Sequence, residues 1–97
     1  MLEIILDGAL MTDRTVVHDL LTEKFAFPDY YGRNLDALYD LLSTYSEQIH
    51  VTVMNQPRML ENLGNYGKAL LRTLEEAADC NLNLKFTVTC EKNKNNT

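Results

Sequence analysis

Three short apolar segments spread along the whole chain are the feature that most limits what this sequence can fold into. Residues 2–6 are apolar apart from one acid and end at the turn pair Asp7-Gly8. Residues 49–54 are rich in β-branched side chains, and residues 82–90 alternate between apolar and polar side chains. Strict alternation is typical of a strand with one face in water. The pattern therefore predicts three strands, no two of which are adjacent in the sequence.

Amphipathic helical segments fill both intervals between the predicted strands. We predict helices over residues 13–24, 35–45, 56–63 and 68–78. Pro28 and Gly32 place a loop between the first two helices, and Gly64 and Gly67 bracket a break between the last two. Because helical crossovers join parallel strands, we expect an α/β fold with a small three-stranded parallel sheet and about four helices packed on it. The strand order stays open.

Length and composition are those of one globular domain. The 97 residues include 45% hydrophobic and 24% charged side chains, a balance that supports a core without disulfides. We predict a single domain over residues 1–90 and a polar, disordered tail over residues 91–97. The chain has no signal-peptide pattern and no apolar run of membrane-spanning length, so we expect a cytoplasmic protein that does not bind membranes.

The charge of the chain restricts its partners. The formal net charge is −5 and the isoelectric point is about 4.8. Nucleic-acid binding requires clustered Lys and Arg side chains that neutralise phosphates, so a nucleic-acid partner is not expected. An acidic surface suits a basic partner instead.

Residue types that often carry catalysis are few and scattered. The glycines fit turns rather than a phosphate-binding loop, and Cys80 and Cys90 lack the spacing of a metal site. We expect both cysteines to be buried or half-buried small side chains, and His18 and His50 to be surface or strand-end histidines. Neither histidine has a Ser or Cys at a suggestive spacing, although spacing alone does not exclude a triad. No cofactor or metal is implied.

The most informative stretch is residues 28–40, PDYYGRNLDALYD. Asp36 and Asp40 are four positions apart on the predicted second helix, so their carboxylates project from one face. Three interpretations are open: a solvated acidic face, a carboxylate pair for acid–base or metal chemistry, and a docking surface for a cationic pocket. An acid–base pair needs two different environments, which two exposed aspartates on one helix do not provide. The docking surface accounts for the acids, for Tyr39 between them and for the preceding tyrosine-rich loop together.

Residues 28–40 resemble the barstar family of intracellular ribonuclease inhibitors, whose pattern is P-x-Y-Y-G-x-N-L-D-A-L-x-D. The resemblance implies the α/β fold of that family over most of residues 1–90. It also implies an inhibitory surface formed by the second helix and the loop before it. The residues implied to contact the partner are Tyr30, Tyr31, Gly32, Asn34, Asp36, Tyr39, Asp40 and, on the last helix, Glu76, with Glu75 as the alternative. Asp40 falls where the main anionic contact of the family enters the pocket that otherwise holds substrate phosphate.

Some positions depart from the family pattern. Arg33 is a cation where the best-known member has an acid, and it is either a solvated loop residue or a partner for an acidic group on a different enzyme. Tyr39 and Tyr45 stand where tryptophans would fall, and Leu41 stands where a cysteine would. These departures leave the fold intact and the identity of the partner open.

The resemblance and the acidic face lead to one hypothesis and two alternatives. The hypothesis is a non-enzymatic inhibitor that binds one small, basic, secreted ribonuclease of the barnase type in a one-to-one complex. The first alternative is a module of the same fold that binds a different basic toxin or a regulatory protein, and the second is an enzyme that uses Asp36 and Asp40. Residues 29–47 hold four acids against Arg33 and so carry −3 of the net charge, which concentrates the acidity at the implied surface.

Overall fold

The computed structural model describes residues 2–89, which form three strands and four α-helices. In chain order these are β1 (Leu2–Asp7), α1 (Arg14–Phe25), α2 (Leu35–Ser43), β2 (Ile49–Met54), α3 (Gln56–Leu63), α4 (Asn65–Cys80) and β3 (Leu84–Val88), with a short 3-10 helix (Gly8–Leu10) after β1. The predicted order of strands and helices is confirmed. The tail predicted over residues 91–97, and Cys90, lie outside the described residues.

The strands form one parallel sheet in the order β1-β2-β3, so the predicted α/β fold is confirmed and the strand order is settled. Ile4 on β1 pairs with Val51 on β2, which pairs with Phe86 on β3. This row faces the core, whereas the preceding row of Glu3, His50 and Lys85 carries exposed or half-buried side chains. Because side chains alternate across a strand, the helices cover only one face of the sheet.

The last strand is shorter than the predicted residues 82–90, and it begins at Leu84. Leu82 is 99% exposed and lies in the turn before the strand. This turn is held by the buried Asn81, whose amide group donates hydrogen bonds to the backbone carbonyls of Leu42 (2.8 Å) and Tyr45 (2.9 Å). The turn is therefore fixed to the end of α2 before the chain enters the sheet.

One of the two predicted helix-breaking glycines is not a break. Gly64 separates α3 from α4 with a φ of +60°, a conformation that glycine adopts without steric cost. Gly67 lies inside α4, which begins at Asn65 rather than at the predicted position 68. A Cβ atom at Gly67 would lie 3.1 Å from Leu60 Cδ2, so this glycine allows α3 and α4 to pack closely.

The packing of α2 against α4 places the acidic stretch of the sequence on the surface. Leu38 and Leu42 of α2 and Leu70 and Leu74 of α4 are fully buried. Burial of each of these side chains stabilises the fold by about 1.5–3 kcal/mol. The opposite face of α2 is left in solvent beside the exposed face of α4. Within residues 2–89, no helix is both long and apolar enough to cross a membrane.

Candidate functional site

The loop between α1 and α2 is attached to the core by aromatic rings. It starts at Ala26, which adopts a left-handed conformation with a φ of 55° and ends α1. The Phe27 ring stacks on that of Phe25 at a centroid distance of 5.2 Å, and the Tyr31 ring lies 4.7 Å from Phe27. The backbone N–H of Tyr31 also donates to the carbonyl of Pro28 (3.0 Å). These contacts give the loop one defined path across the end of α1.

A buried histidine joins this loop to two helices. His18 of α1 is 2% exposed, and its Nδ1 lies 2.6 Å from the hydroxyl of Tyr31 in the loop. Its Nε2 lies 2.7 Å from the hydroxyl of Tyr66 at the start of α4. A neutral imidazole donates from one nitrogen and accepts at the other, so both tyrosines are satisfied without a charge. Burial, and then the nearby Arg33, lower the pKa of His18, and burial raises the pKa of Tyr31.

The expectation that His18 is a surface histidine is therefore wrong. His18 is three positions before Leu21 and seven before Phe25 in the sequence, so its side chain lies on the buried face of α1 with theirs. That spacing is the sequence signal that would have placed His18 in the core. His50 lies at the start of β2, as expected for a strand-end histidine; it is half-buried, and its Nδ1 is 3.2 Å from Oε1 of Glu3.

Arg33 ends the loop and ties it to α1. It adopts a left-handed φ of 56°, which is uncommon for a residue with a side chain. Its Nη2 donates to Oδ1 of Asp19 at 2.6 Å and to the carbonyl of Thr15 at 3.3 Å. Asn34 follows as the N-cap of α2, and its side-chain oxygen accepts from the backbone N–H of Ala37 (2.8 Å). The charge of Arg33 is thus already paired within the chain.

An acidic groove lies between α2 and α4. It has a volume of about 450 Å³, and its lining residues are Leu35, Asp36, Tyr39 and Asp40 from α2 and Thr73 and Glu76 from α4. Asp36, Asp40 and Glu76 are all exposed, and none of the lining residues is basic. Glu75 instead lines a different recess, together with Lys68 and Arg72. Of the two glutamates left open by the sequence, Glu76 is the one beside the aspartates.

Asp40 also faces a second recess, on the loop side of α2. This recess has a volume of about 160 Å³ and is lined by Tyr30, Tyr31, Gly32, Ala37, Asp40 and Leu41. Tyr30 is 80% exposed, whereas Tyr31 is 7% exposed and has its hydroxyl bonded to His18. Tyr31 thus belongs mainly to the core and presents only an edge to the surface.

A third recess adjoins the acidic groove at the start of α2. Unlike the groove, it has arginine side chains in its lining. It has a volume of about 440 Å³ and is lined by Arg14, His18, Arg33, Asn34, Leu35, Asp36 and Tyr66. The guanidinium carbon of Arg14 lies 4.4 Å above the centre of the Tyr66 ring. The sequence reasoning missed Arg14 and Tyr66, because they are distant in sequence from residues 28–40. Every site residue implied by the resemblance lines one of these three recesses.

Tyr39 of α2 contacts Cys80, the last residue of α4, beside the acidic groove. The Tyr39 hydroxyl and Cys80 Sγ are 3.0 Å apart, and this hydrogen bond raises the pKa of Tyr39. Cys80 is exposed, so the expectation that it is buried or half-buried is wrong. It occupies the last position of α4, beyond the buried Ala77, and therefore lies past the end of the core.

The site offers little that resembles a catalytic arrangement. Asp36 and Asp40 are both exposed on one helix face, so neither carboxyl group has the desolvated environment that distinguishes the acid from the base in such a pair. Within residues 2–89, no three His, Cys, Asp or Glu side chains lie close enough together to hold a metal ion. What the geometry does provide is a group of exposed carboxylates from α2 and α4, with tyrosines beside them.

Comparison with known proteins adds two findings. Residues 1–91 match the protein family described as Barstar (barnase inhibitor). A protein of Bacillus subtilis (strain 168) named "Putative ribonuclease inhibitor YrdF" is 40% identical over 81 residues, which cover 81% of this chain and 88% of that protein.

Proposed function

The chain belongs to the barstar family, and from that premise we propose that it inhibits a ribonuclease of the barnase type by filling the active site with α2 and the preceding loop. The observation that carries the proposal is the groove in which Asp36, Asp40 and Glu76 stand together with no basic lining residue. The relative whose name describes a ribonuclease inhibitor supports the same conclusion.

Inhibition follows from the way in which a ribonuclease holds its substrate. Such an enzyme must present Arg, Lys or His side chains to the phosphates of RNA, and a carboxylate can occupy the same position as a phosphate. Charge-assisted hydrogen bonds between these groups are short and strong when the interface excludes water. Asp36 and Asp40 lie on a helix that is packed against α4, so little backbone entropy is lost when they bind.

We propose that the partner is a small, basic, secreted ribonuclease bound one to one, and that the inhibitor itself performs no catalysis. Its long-range attraction for such an enzyme comes from the net charge of −5. Attraction of this kind accelerates association and is screened by salt. Raising the ionic strength is therefore expected to slow association much more than it accelerates dissociation.

Asp40 is the sharpest test of this proposal, because it borders both the acidic groove and the recess below the loop. The Asp40→Ala variant is expected to weaken inhibition of RNA cleavage by a barnase-type ribonuclease by about 30-fold or more, equivalent to about 2 kcal/mol for a central contact. The inhibition constant is measured with a fluorogenic RNA substrate. A change below about twofold would show that Asp40 is not a central contact, and no inhibition of any such ribonuclease by the wild type would refute the proposal.

Neighbouring glutamates on α4 provide a matched control. Glu76→Gln removes a carboxylate from the acidic groove, whereas Glu75→Gln makes the same chemical change in the recess that holds Lys68 and Arg72. We expect about fivefold weaker inhibition from the first variant and less than a twofold change from the second, since a charge outside the contact affects mainly the association rate. Equal effects would indicate that only overall charge matters.

A second candidate function is that of a binding module for a different basic toxin or a regulatory protein. Arg33 favours it, because this cation stands in the loop where the best-known inhibitor has an acid. Arg33 is, however, already paired with Asp19 of α1, which leaves it less available to an acidic group on a partner. This second function would be favoured if the chain inhibited no barnase-type ribonuclease but bound another basic protein tightly.

A further inference from the structure

The recess beside the acidic groove contains a cation, Arg14, for which the described residues provide no ion pair. Arg14 is exposed at the first position of α1, and within residues 2–89 no carboxylate lies within ion-pair distance of it. Arg33 lines the same recess but is paired with Asp19 at 2.6 Å. What distinguishes Arg14 from the other cations without an ion pair is its place in the recess next to Asp36.

Arg14 contacts the network that holds the binding loop. Its guanidinium lies 4.4 Å from the centre of the Tyr66 ring, and the hydroxyl of Tyr66 is bonded to the buried His18 at 2.7 Å. A guanidinium stacked on an aromatic ring keeps its in-plane N–H donors available to a ligand. The chain thus presents a guanidinium group at the surface of this recess.

The recess that contains Arg14 adjoins the acidic groove at the start of α2, where Leu35 and Asp36 line both of them. We therefore expect a protein bound over Asp36 and Asp40 to lie near Arg14. Covering Arg14 with a purely basic surface would bury two like charges against each other and leave the guanidinium unpaired. An unpaired buried charge is strongly destabilising at an interface.

We propose, on the basis of the ribonuclease inhibition proposed above, that Arg14 binds an Asp or Glu carboxylate at the rim of the basic active site of the ribonuclease. This pair makes Arg14 a specificity-determining residue. A ribonuclease with a carboxylate at that position is accepted, and one with a neutral or basic residue there is rejected because Arg14 is left unpaired. A carboxylate matches the guanidinium fork in a two-bond geometry. A polyanion such as RNA is disfavoured at the same place by Asp36, Asp40 and Glu76.

A charge reversal at Arg14 tests the proposal, because a basic partner and a carboxylate partner predict opposite changes in the strength of inhibition. Arg14→Glu makes the chain more acidic, and if the partner were basic throughout, the added acid would strengthen binding. If Arg14 has a carboxylate partner, the same change is expected to weaken inhibition by at least about 30-fold, mainly through faster dissociation. Glutamate in the first turn of a helix is favoured by the helix dipole, so we expect the variant to fold, and a thermal melt checks this.

Arg58→Glu is the matched control. It makes the same change of charge on α3, where Arg58 is 64% exposed and lines none of the three recesses. Arg58 pairs with Glu61 at 3.6 Å, and an exposed pair of this kind contributes little to stability. We expect Arg58→Glu to inhibit as well as the wild type or slightly better. If Arg14→Glu behaves like Arg58→Glu while the wild type inhibits, the proposal about Arg14 is wrong and the proposed function stands.

The complementary experiment locates the carboxylate on the enzyme. Each Asp or Glu around the active site of an inhibited barnase-type ribonuclease is changed to Lys, and the variants are tested against wild-type chain and the Arg14→Glu variant. One ribonuclease variant is expected to escape the wild type and to be inhibited by Arg14→Glu. Absence of such a reciprocal pair would overturn the proposal. Absence of inhibition by the wild type would instead refute the proposed function on which it rests.

Discussion

Replacing His18 by leucine would test whether the buried histidine positions the binding loop and stabilises the fold. The imidazole connects Tyr31 of the loop and Tyr66 of α4 through hydrogen bonds of 2.6 and 2.7 Å. Leucine has a comparable apolar volume and keeps the packing against the neighbouring side chains, but it leaves both hydroxyl groups without this partner. The perturbation is therefore mainly a loss of hydrogen bonding rather than the creation of a cavity.

The expected loss in the free energy of unfolding follows from the exposure of Tyr31 and Tyr66. Tyr31 is 7% exposed, so its hydroxyl is left buried and unsatisfied, which costs about 1–3 kcal/mol. Tyr66 is half-buried and can bond to water instead, so its loss is smaller. We expect the free energy of unfolding to fall by about 2–3 kcal/mol in total. For a domain of this size, that change lowers the melting temperature by roughly 10–20 °C.

The effect depends on pH with a definite sign. Burial lowers the pKa of His18 from its ordinary value of 6.5. Between that value and the lower pKa of the folded state, the unfolded chain binds the proton and the folded chain does not. The stability contributed by the neutral histidine is therefore complete above about pH 7.5 and is lost as the pH falls through the folded pKa. The difference between the wild type and His18→Leu should accordingly shrink in acid.

Urea unfolding at pH 8 and at pH 5, followed by circular dichroism, measures both effects. His50→Leu is the control, because His50 lies on the outer row of the sheet and not in the network with Tyr31. Tyr66→Phe removes one of the two hydrogen bonds and should cost less than His18→Leu. A loss below about 0.5 kcal/mol at pH 8, or a loss that is the same at both pH values, would refute the reasoning.

Two further substitutions test the packing that supports the site. Gly8→Ala is expected to destabilise the chain by about 1–3 kcal/mol, because its Cβ would lie 2.6 Å from the carbonyl oxygen of Asn55, and an unchanged melting temperature would contradict this contact. Asn81→Ala removes the hydrogen bonds to the carbonyls of Leu42 (2.8 Å) and Tyr45 (2.9 Å) and is expected to cost about 2–3 kcal/mol in urea unfolding. A loss below about 0.5 kcal/mol would mean that water satisfies those carbonyls equally well.

Local sequence patterns determined the elements of this protein. The alternation of apolar residues and the helical spacing predicted the order of strands and helices, since both depend on which side chains face a core rather than on the identity of that core. Asn34 predicted the start of α2. Its side-chain oxygen accepts a hydrogen bond from the backbone N–H of Ala37 and so caps the helix as expected. The spacing of Asp36 and Asp40 placed two carboxylates on one helix face, where the structure also has them.

Patterns failed where a side chain meets a distant partner. Gly67 resembles a helix break in the sequence, but it lies inside α4, where a Cβ atom would be only 3.1 Å from Leu60 Cδ2 of α3. Cys80 resembles a buried small residue, but it lies beyond the last core position of α4 and contacts Tyr39, which is 41 positions away. Neither relationship is encoded within a few residues, so neither could be obtained from spacing.

The sequence by itself determined the fold class and the acidic helix, because periodicity and capping are local properties of the chain. Only the tertiary structure decided which residues share a surface with that helix. Glu75 and Glu76 are adjacent in sequence, yet the packing of α4 directs one to a recess with Lys68 and Arg72 and the other to the groove with Asp40. In the same way, folding places Arg14, at the start of α1, over the ring of Tyr66, which lies 52 positions later in the chain. The charge of a surface is a sum over such neighbours, and the chain acquires those neighbours only when it folds.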